Sequence, residues 1–498
     1  MKESRFETLL KAFRSEKGFA RYQIESFNHF INERIQEVID EIGTIEPESD
    51  RLGDFEVELG EVRVGKPSVK EADGSLREIL PQEARLRGIS YAAPIFLNMT
   101  TKGDGEVKEE KDVKIGEMPI MVRSDKCPLS DMSDEELIEA GEDPDDVGGY
   151  FIINGTERVL VLLEEVAPNR VIVEEKNKKK IEYAARINSE RRGWGQRHTI
   201  NKRKDGLITI SFANARKLPL VVLLRGLGLE TDKEIVESIT PEDEYQEEIY
   251  ANLYETDASD TEEALELIGK KMKVSQKEYR KERAEEVIDK YLLPHIGQDK
   301  EDRMMKAHYL GRAAKKMLYI SHGKLNPDDI DHYRNKRLRT SSDLLEILLR
   351  SKLLGRVGLI SRIKYNYHKI ARRGKVPTVN TVVESDMLTN QIQSAFATGL
   401  WVGGRTGVSQ RLERTNYIKT LSHLRNVVSP LSTQQEHFEA RELHATHWGR
   451  LGATQTPEGP TIGLRKYLAL LASISTGMKQ DKAEEVLKNL KTEIKGLE

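Results

Sequence analysis

At 498 residues the chain is longer than one ordinary domain, and its length suggests about two to four. With 38% hydrophobic and 33% charged residues and a net charge of −4, the composition excludes a disordered chain and describes a soluble, ordered one. The single cysteine, Cys127, excludes an internal disulfide and a cysteine-rich zinc site, and fits a reducing compartment.

The N-terminal stretch lacks an apolar h-region, and no run approaches the roughly 18 apolar residues of a membrane span. The expectation is a cytoplasmic protein with no membrane partner. Residues 4 to 40 carry helical periodicity, with Phe6, Leu9, Leu10 and Phe13 on one stripe and Ile24, Phe27, Phe30 and Ile31 on another. Residues 55 to 69 alternate and read as strands. Residues 84 to 100 read as a further strand region, followed by a Gly-Asp-Gly turn at 103 to 105. "GGYFIINGTERVLVLLEEV" (148 to 166) is the clearest hairpin, because Asn154-Gly155 supplies the positive φ that a type I′ turn needs. The same Asn-Gly-Thr matches a glycosylation sequon and is read as a turn. Strands follow at 170 to 185 and 206 to 213, then a helical pattern from 230 to 290. Residues 342 to 363 predict one long amphipathic helix with Ser341 or Ser342 as N-cap. Residues 385 to 401 predict another, ended by Gly399. The whole reads as a mixed α+β chain of several domains.

Charge is unevenly spread. Glu230 to Glu266 holds 15 acids and one base, Lys233, whereas Glu301 to Asn380 holds 19 Lys/Arg and 7 Asp/Glu. A block that basic suits a polyanion; a solvated helical face or an acidic partner explains it equally.

A self-contained active site is not visible. There is no P-loop, and Gly403–Gly407, "GGRTG", lacks its lysine and reads as a loop tip rather than a phosphate cradle. His444 and His447 could share a helical face, but no third metal ligand is in view. "DDIDH" (328 to 332) precedes the basic run "YRNKRLR", and its carboxylates are expected to pair with those arginines rather than hold metal. Residues 401 to 466 interleave Arg, Lys, His, Gln, Ser and Thr with tight turns. Such a surface suits contacts to phosphates and sugars, or a rigid polar turn supporting a neighbour; spacing does not separate the two.

Longer motifs carry a resemblance. "ARYQIESFNHFI" (20 to 31), "ARLRGISYAAPIFL" (84 to 97), "MPIMVRSDKCPLS" (118 to 130) and "GGYFIINGTERVLV" come first. "DDIDHYRNKRLRTSSDLL" (328 to 345), "RTGVSQRLERTNYIKTLSHLR" (405 to 425) and "HATHWGRLGATQTPEGPTIGLRKYLALLASIS" (444 to 475) follow. In this order they resemble the N-terminal half of the second-largest, β-type subunit of multisubunit DNA-directed RNA polymerase, in the archaeal form (B′′) in which that subunit is split.

The resemblance implies a protrusion over 1–165, a lobe over 166–335, a return to the protrusion over 336–402, a fork over 403–476 and a tail over 477–498. It implies that Arg405, Gln410, His423 and Arg425 face template strand or hybrid, and that Arg337 and Arg339 contact nucleic acid. Thr456, Pro457, Glu458 and Gly459 would shape a wall near the incoming nucleotide. The family commonly has Cys-Pro-x-Glu before Thr-Pro-Glu-Gly; here Gly452, Ala453, Thr454 and Gln455 stand there.

No catalytic residue or cofactor is expected in this chain. Mg²⁺ would be held by the largest subunit, and the expected partners are the second half of the split subunit (B′), the largest and other polymerase subunits, the DNA template and the RNA–DNA hybrid. A reading of another class is a free-standing nucleic-acid-binding scaffold without polymerase activity.

Overall fold

In a computed structural model, residues 5–15, 18–47, 55–103, 106–176, 180–256, 258–371, 378–436, 438–474, 482 and 484–489 are described. The chain forms two compact units. The first comprises Met1–Leu163, Arg339–Gln434 and His447–Glu498, and the second Glu164–Leu338 with Gln435–Thr446. Several separate sheets and many helices make this an α+β, multidomain chain. Residues 166–335 fall inside the second unit. Residues 435–446, within the stretch expected as one fork domain, also group with the second unit.

In the first unit the helices Arg5–Ser15, Arg21–His29 and Ile35–Ile42 lead, with a π turn at Phe30–Arg34. The second apolar stripe is a core stripe: Phe27, Phe30 and Ile31 are buried. The first is not, since Leu9 is exposed, and the side chain of Phe6 lies outside the described residues. An antiparallel sheet follows, in the order Thr44–Ile45, Glu56–Val64, Ala92–Gly103, Glu106–Pro119. The Gly-Asp-Gly turn lies partly outside the described residues, at 104–105.

Residues 84–87, expected as strand, belong to the helix Pro81–Arg87. Pro81 at its first position and left-handed Gly88 (φ 66°) at its end punctuate a run of good helix formers. The stretch 342–363 is likewise two helices, Ser341–Leu354 and Leu359–Ala371. Gly355 and Gly358 separate them; a Cβ on Gly358 would lie 2.5 Å from the Leu353 carbonyl oxygen. The N-cap is Thr340, in a reciprocal capping box with Asp343. Ser341 and Ser342 are instead buried against the second N-terminal helix, where the Ser342 N–H donates to Ser26 Oγ at 2.9 Å.

The hairpin Phe151–Ile153/Thr156–Leu160 turns at Asn154 (φ 48°) and Gly155 (φ 71°), the two positive values a type I′ turn demands. A third short strand, Ser409–Arg411, pairs antiparallel with Thr156–Leu160. Behind it runs an aromatic column: Phe27 on Phe151 at 5.4 Å, Phe151 on Phe396 at 4.8 Å, Phe396 on Trp401 at 5.6 Å. The indole N–H of Trp401 donates to the Leu344 carbonyl at 2.8 Å.

The second unit has a five-stranded antiparallel meander: Val171–Glu175, Ile181–Arg191, Trp194–Arg203, Ile208–Phe212 and Ala215–Pro219. Helices follow, and the acidic stretch supplies Asp232–Ile239, Asp243–Tyr254 and Thr261–Lys271. Their apolar positions, among them Ile235, Ile249, Leu265 and Ile268, join the meander's inner face in one core.

Candidate nucleic-acid interface

The helix Ser385–Thr398 ends at left-handed Gly399 (φ 72°), whose missing Cβ leaves room for the Ser409 carbonyl oxygen at 2.7 Å. A loop springs from this point. Buried Trp401 anchors one side and buried Val408 the other. The Trp401 N–H donates to the Arg405 carbonyl at 2.8 Å, and the Val161 N–H to the Val408 carbonyl at 3.1 Å, so the loop is closed at its base. Gly403, Gly404 and Gly407 all take positive φ, and Gly403, Gly404, Thr406 and Gly407 are exposed. Arg405 is half-buried and folds back to donate to the Val402 carbonyl at 2.9 Å.

The strand after the loop is tied to the helix Tyr417–Leu424. Nδ1 of His423 accepts the Glu413 backbone N–H at 3.1 Å, so the ring proton sits on Nε2. That Nε2–H reaches Gln410 Oε1 at 3.2 Å, and Gln410 Nε2 donates to the Gly407 carbonyl at 2.9 Å. Burial holds the imidazole pKa below its ordinary value; Glu413 opposes the shift, and Arg465 and Lys419 add to it. The helix itself is capped by Asn416, whose side chain accepts the Lys419 N–H at 2.8 Å.

His423 and Arg425, expected to face nucleic acid, are each only 4% exposed. Arg425 donates to the carbonyls of Ala469 at 2.7 Å, Ala472 at 3.0 Å and Gly18 at 3.4 Å, with the Phe13 ring 5.7 Å away. Burial lowers its pKa, opposed by Tyr22. Its buried guanidinium thus ties together distant stretches of chain through three partly buried carbonyls, which satisfy donors that burial takes from water.

In the turn after Trp448, the Thr456 hydroxyl donates to the Arg465 carbonyl and accepts the Gly463 N–H, both at 2.9 Å. Pro457 is half-buried, while Glu458 and Gly459 (φ 84°) are exposed. Gln455, one of the departures from the family pattern, has its own partner: it donates to Ser422 Oγ at 2.7 Å.

Of the remaining expected residues, Arg337 belongs to the second unit and Arg339 to the first. Arg337 is exposed and Arg339, at the boundary in the first unit, is buried. The "DDIDH" carboxylates meet Lys316 (Asp328, 2.6 Å), His444 (Asp329, 2.8 Å) and Lys336 (Asp331, 2.8 Å), not the arginines of the following run. Lys336 also meets Glu164 at 2.8 Å. His444 and His447 do not share a helical face: His444 belongs to the second unit and His447 to the first, at a short 3₁₀ turn. Among the described residues, no group of three or more His, Cys, Asp or Glu side chains offers a metal set. No helix there is long and apolar enough to cross a membrane.

Two features escaped the sequence. A cluster beneath the hairpin joins Arg414 to Glu157 (2.7 Å) and Asp146 (2.8 Å), and Arg85 to Glu157 (2.9 Å) and Glu142 (2.8 Å). Tyr150 lies between them, accepting from Arg85 at 2.7 Å and donating to Asp146 at 2.9 Å. The other is Arg158, directly opposite Arg411 across neighbouring strands. No local signal reveals either, since both depend on pairing across about 250 residues of chain.

Residues 18–426 match the family described as RNA polymerase beta subunit, and residues 410–474 match RNA polymerase Rpb2, domain 3. The chain is 45% identical over 492 residues to DNA-directed RNA polymerase subunit Rpo2N of Methanocaldococcus jannaschii, covering 97% of this chain and 98% of that one. Against Rpo2N of Methanothermobacter thermautotrophicus it is 45% identical over 507 residues, covering 96% of each. Against subunit Rpo2 of Saccharolobus solfataricus it is 44% identical over 483 residues, covering 96% of this chain but 42% of that longer subunit. The chain belongs to the RNA polymerase beta-subunit family, as the N-terminal part of the archaeal second-largest subunit. It is therefore one subunit of a multisubunit nucleotidyltransferase, and family membership decides against a free-standing scaffold.

Proposed function

We propose that the loop Val402–Gly407 and the turn Thr456–Gly459 border the nucleic-acid path of the assembled polymerase, beside the point where the downstream duplex opens and the RNA–DNA hybrid begins. The observation that carries this reading is the loop itself: exposed at its tip, closed at its base and tied through Gln410 to a buried histidine. A loop that must approach nucleic acid without reading sequence needs backbone exposure and stiffness together, and contacts to phosphate and sugar suffice.

On this reading Arg405 and Arg337 contact nucleic acid. Gln410, His423 and Arg425, with buried Arg339, act as positioning residues behind that surface. Exposed Glu458 and Gly459 form the wall, with Thr456 holding the turn and Pro457 stiffening it. The polymerase is a metal-dependent complex. The described residues of this chain do not fit a metal ion, and the Mg²⁺ of the assembly belongs to the largest subunit. The partners are a chain carrying the C-terminal part of the subunit, the largest subunit, template DNA and the hybrid, and the site of action is the cytoplasm.

Reconstitution tests the reading. Polymerase assembled with an Arg405→Ala chain should keep its subunits and elongate several-fold more slowly on a defined scaffold. Unchanged elongation by an intact assembly would remove the loop from the nucleic-acid path.

A further inference from the structure

Arg158 and Arg411 are Cα partners on the antiparallel strands Thr156–Leu160 and Ser409–Arg411. Directly opposed residues of an antiparallel pair share a face, with Cβ atoms about 4.5–5.5 Å apart, and like charges there are destabilising. Among the described residues, neither guanidinium has a carboxylate within ion-pair distance, and neither makes a side-chain hydrogen bond. Their surroundings make this unusual. The next residue, Glu157, alternates to the other face and is held by Arg85 and Arg414. Every arginine of that neighbouring cluster is matched by acid, while this pair is left unmatched. Burial, and then the charge of Arg411, press the Arg158 guanidinium below its ordinary pKa. Arg411 is exposed and Arg158 half-buried, so the pair opens to solvent on one side. The strand that carries Arg411 begins where the loop Val402–Gly407 ends.

We infer that Arg158 and Arg411 together grip a backbone phosphodiester of the nucleic acid passing that loop, a contact that supplies the missing negative charge. Two guanidinium forks side by side match the equatorial oxygens of one phosphate. The inference rests on the proposed function and adds a subsite to it.

The test uses assembled polymerase carrying Arg158→Gln, Arg411→Gln, or both. Binding is measured against salt on a duplex DNA scaffold and on an RNA–DNA hybrid scaffold. Each phosphate contact contributes about 0.7–0.9 to the slope of log affinity against log salt. The double variant should lose roughly one such unit on the scaffold that supplies the phosphate, which identifies the strand as DNA or RNA. A double Lys variant, keeping charge without the fork, should keep most of the slope. Relief of like-charge repulsion should leave the double Gln chain melting no lower than the parent. An unchanged slope on both scaffolds, in an assembly with all its subunits, overturns the inference. So does loss of subunits from the Gln variants, which would assign the pair to a carboxylate of a neighbouring protein. Slowed elongation by Arg405→Ala with an unchanged slope here would condemn the arginine pair alone and leave the loop in the path.

Discussion

His423 donates through Nε2 to Oε1 of Gln410, 3.2 Å away, and this bond fixes the root of the loop that ends at Gly407. Its direction follows from the Glu413 N–H, which occupies Nδ1. Gln410→Ala removes the middle of the relay. It should cost about 1 kcal/mol, the usual net worth of such a hydrogen bond, and speed amide exchange in residues 403–408. Exchange there as slow as in the parent would show that Trp401 and Val408 hold the loop unaided.

Arg425→Ala should act on stability before it acts on transcription. It leaves three partly buried carbonyls without their charged donor, at about 1.5 kcal/mol or less for each bond. Denaturant unfolding of the chain reads the loss directly. Arg425→Lys should recover part of it, because one ammonium cannot span all three oxygens. A fully stable Arg425→Ala chain that nonetheless transcribes poorly would restore the residue to the nucleic-acid surface.

Glu157→Gln probes the cluster beneath the hairpin. The carboxylate is shared by Arg85 and Arg414, so neutralising it leaves mostly buried Arg85 and the more exposed Arg414 each short of a partner. Solvent at Arg414 screens part of the loss, so the cost should be about 1–3 kcal/mol rather than that of a fully buried pair. The change should lower the melting temperature and loosen the Thr156–Leu160 strand. An effect below about 1 kcal/mol would mean that Asp146 and Glu142 suffice.

The second unit carries a pH dependence of its own. His198 is buried against Phe212, with the Leu293 N–H donating to its Nε2 at 3.1 Å; desolvation depresses its pKa to about 4. The unfolded chain, with an ordinary imidazole near 6.5, therefore takes up the proton first. Stability of this unit should be complete above about pH 6.5 and fall as pH drops toward 4, by roughly 3 kcal/mol in all. Amide exchange of the meander strands at pH 7, 5 and 4 measures it. A His198→Gln chain should show a flatter profile; an identical one would assign the effect to other groups.

Much of this was legible where the signal is local. Asn154-Gly155 announces its hairpin because only a few residue types accept positive φ twice in succession, and Gly399 announces its helix end for the same reason. The single helix expected over 342–363 failed because its apolar pattern runs through Gly355 and Gly358, where the backbone comes too close for any Cβ. The resemblance implies that His423 and Arg425 face template strand or hybrid; their burial at 4% exposure was not legible, because residue type and motif do not reveal that a polar side chain is drawn inward to partners distant in sequence. Arg158 and Arg411 stayed hidden because their opposition depends on a long-range strand register. The family resemblance supplied the rest, the polymerase role above all.

The central claim is that the loop Val402–Gly407 meets nucleic acid in the assembled polymerase. A photoreactive side chain at exposed Thr406, in polymerase reconstituted on a scaffold with a defined duplex junction, tests it most directly. The account predicts crosslinks to DNA or RNA within a few nucleotides of where the duplex opens, moving in step as the scaffold is advanced. Crosslinks to neighbouring subunits alone, at every scaffold position, would contradict it.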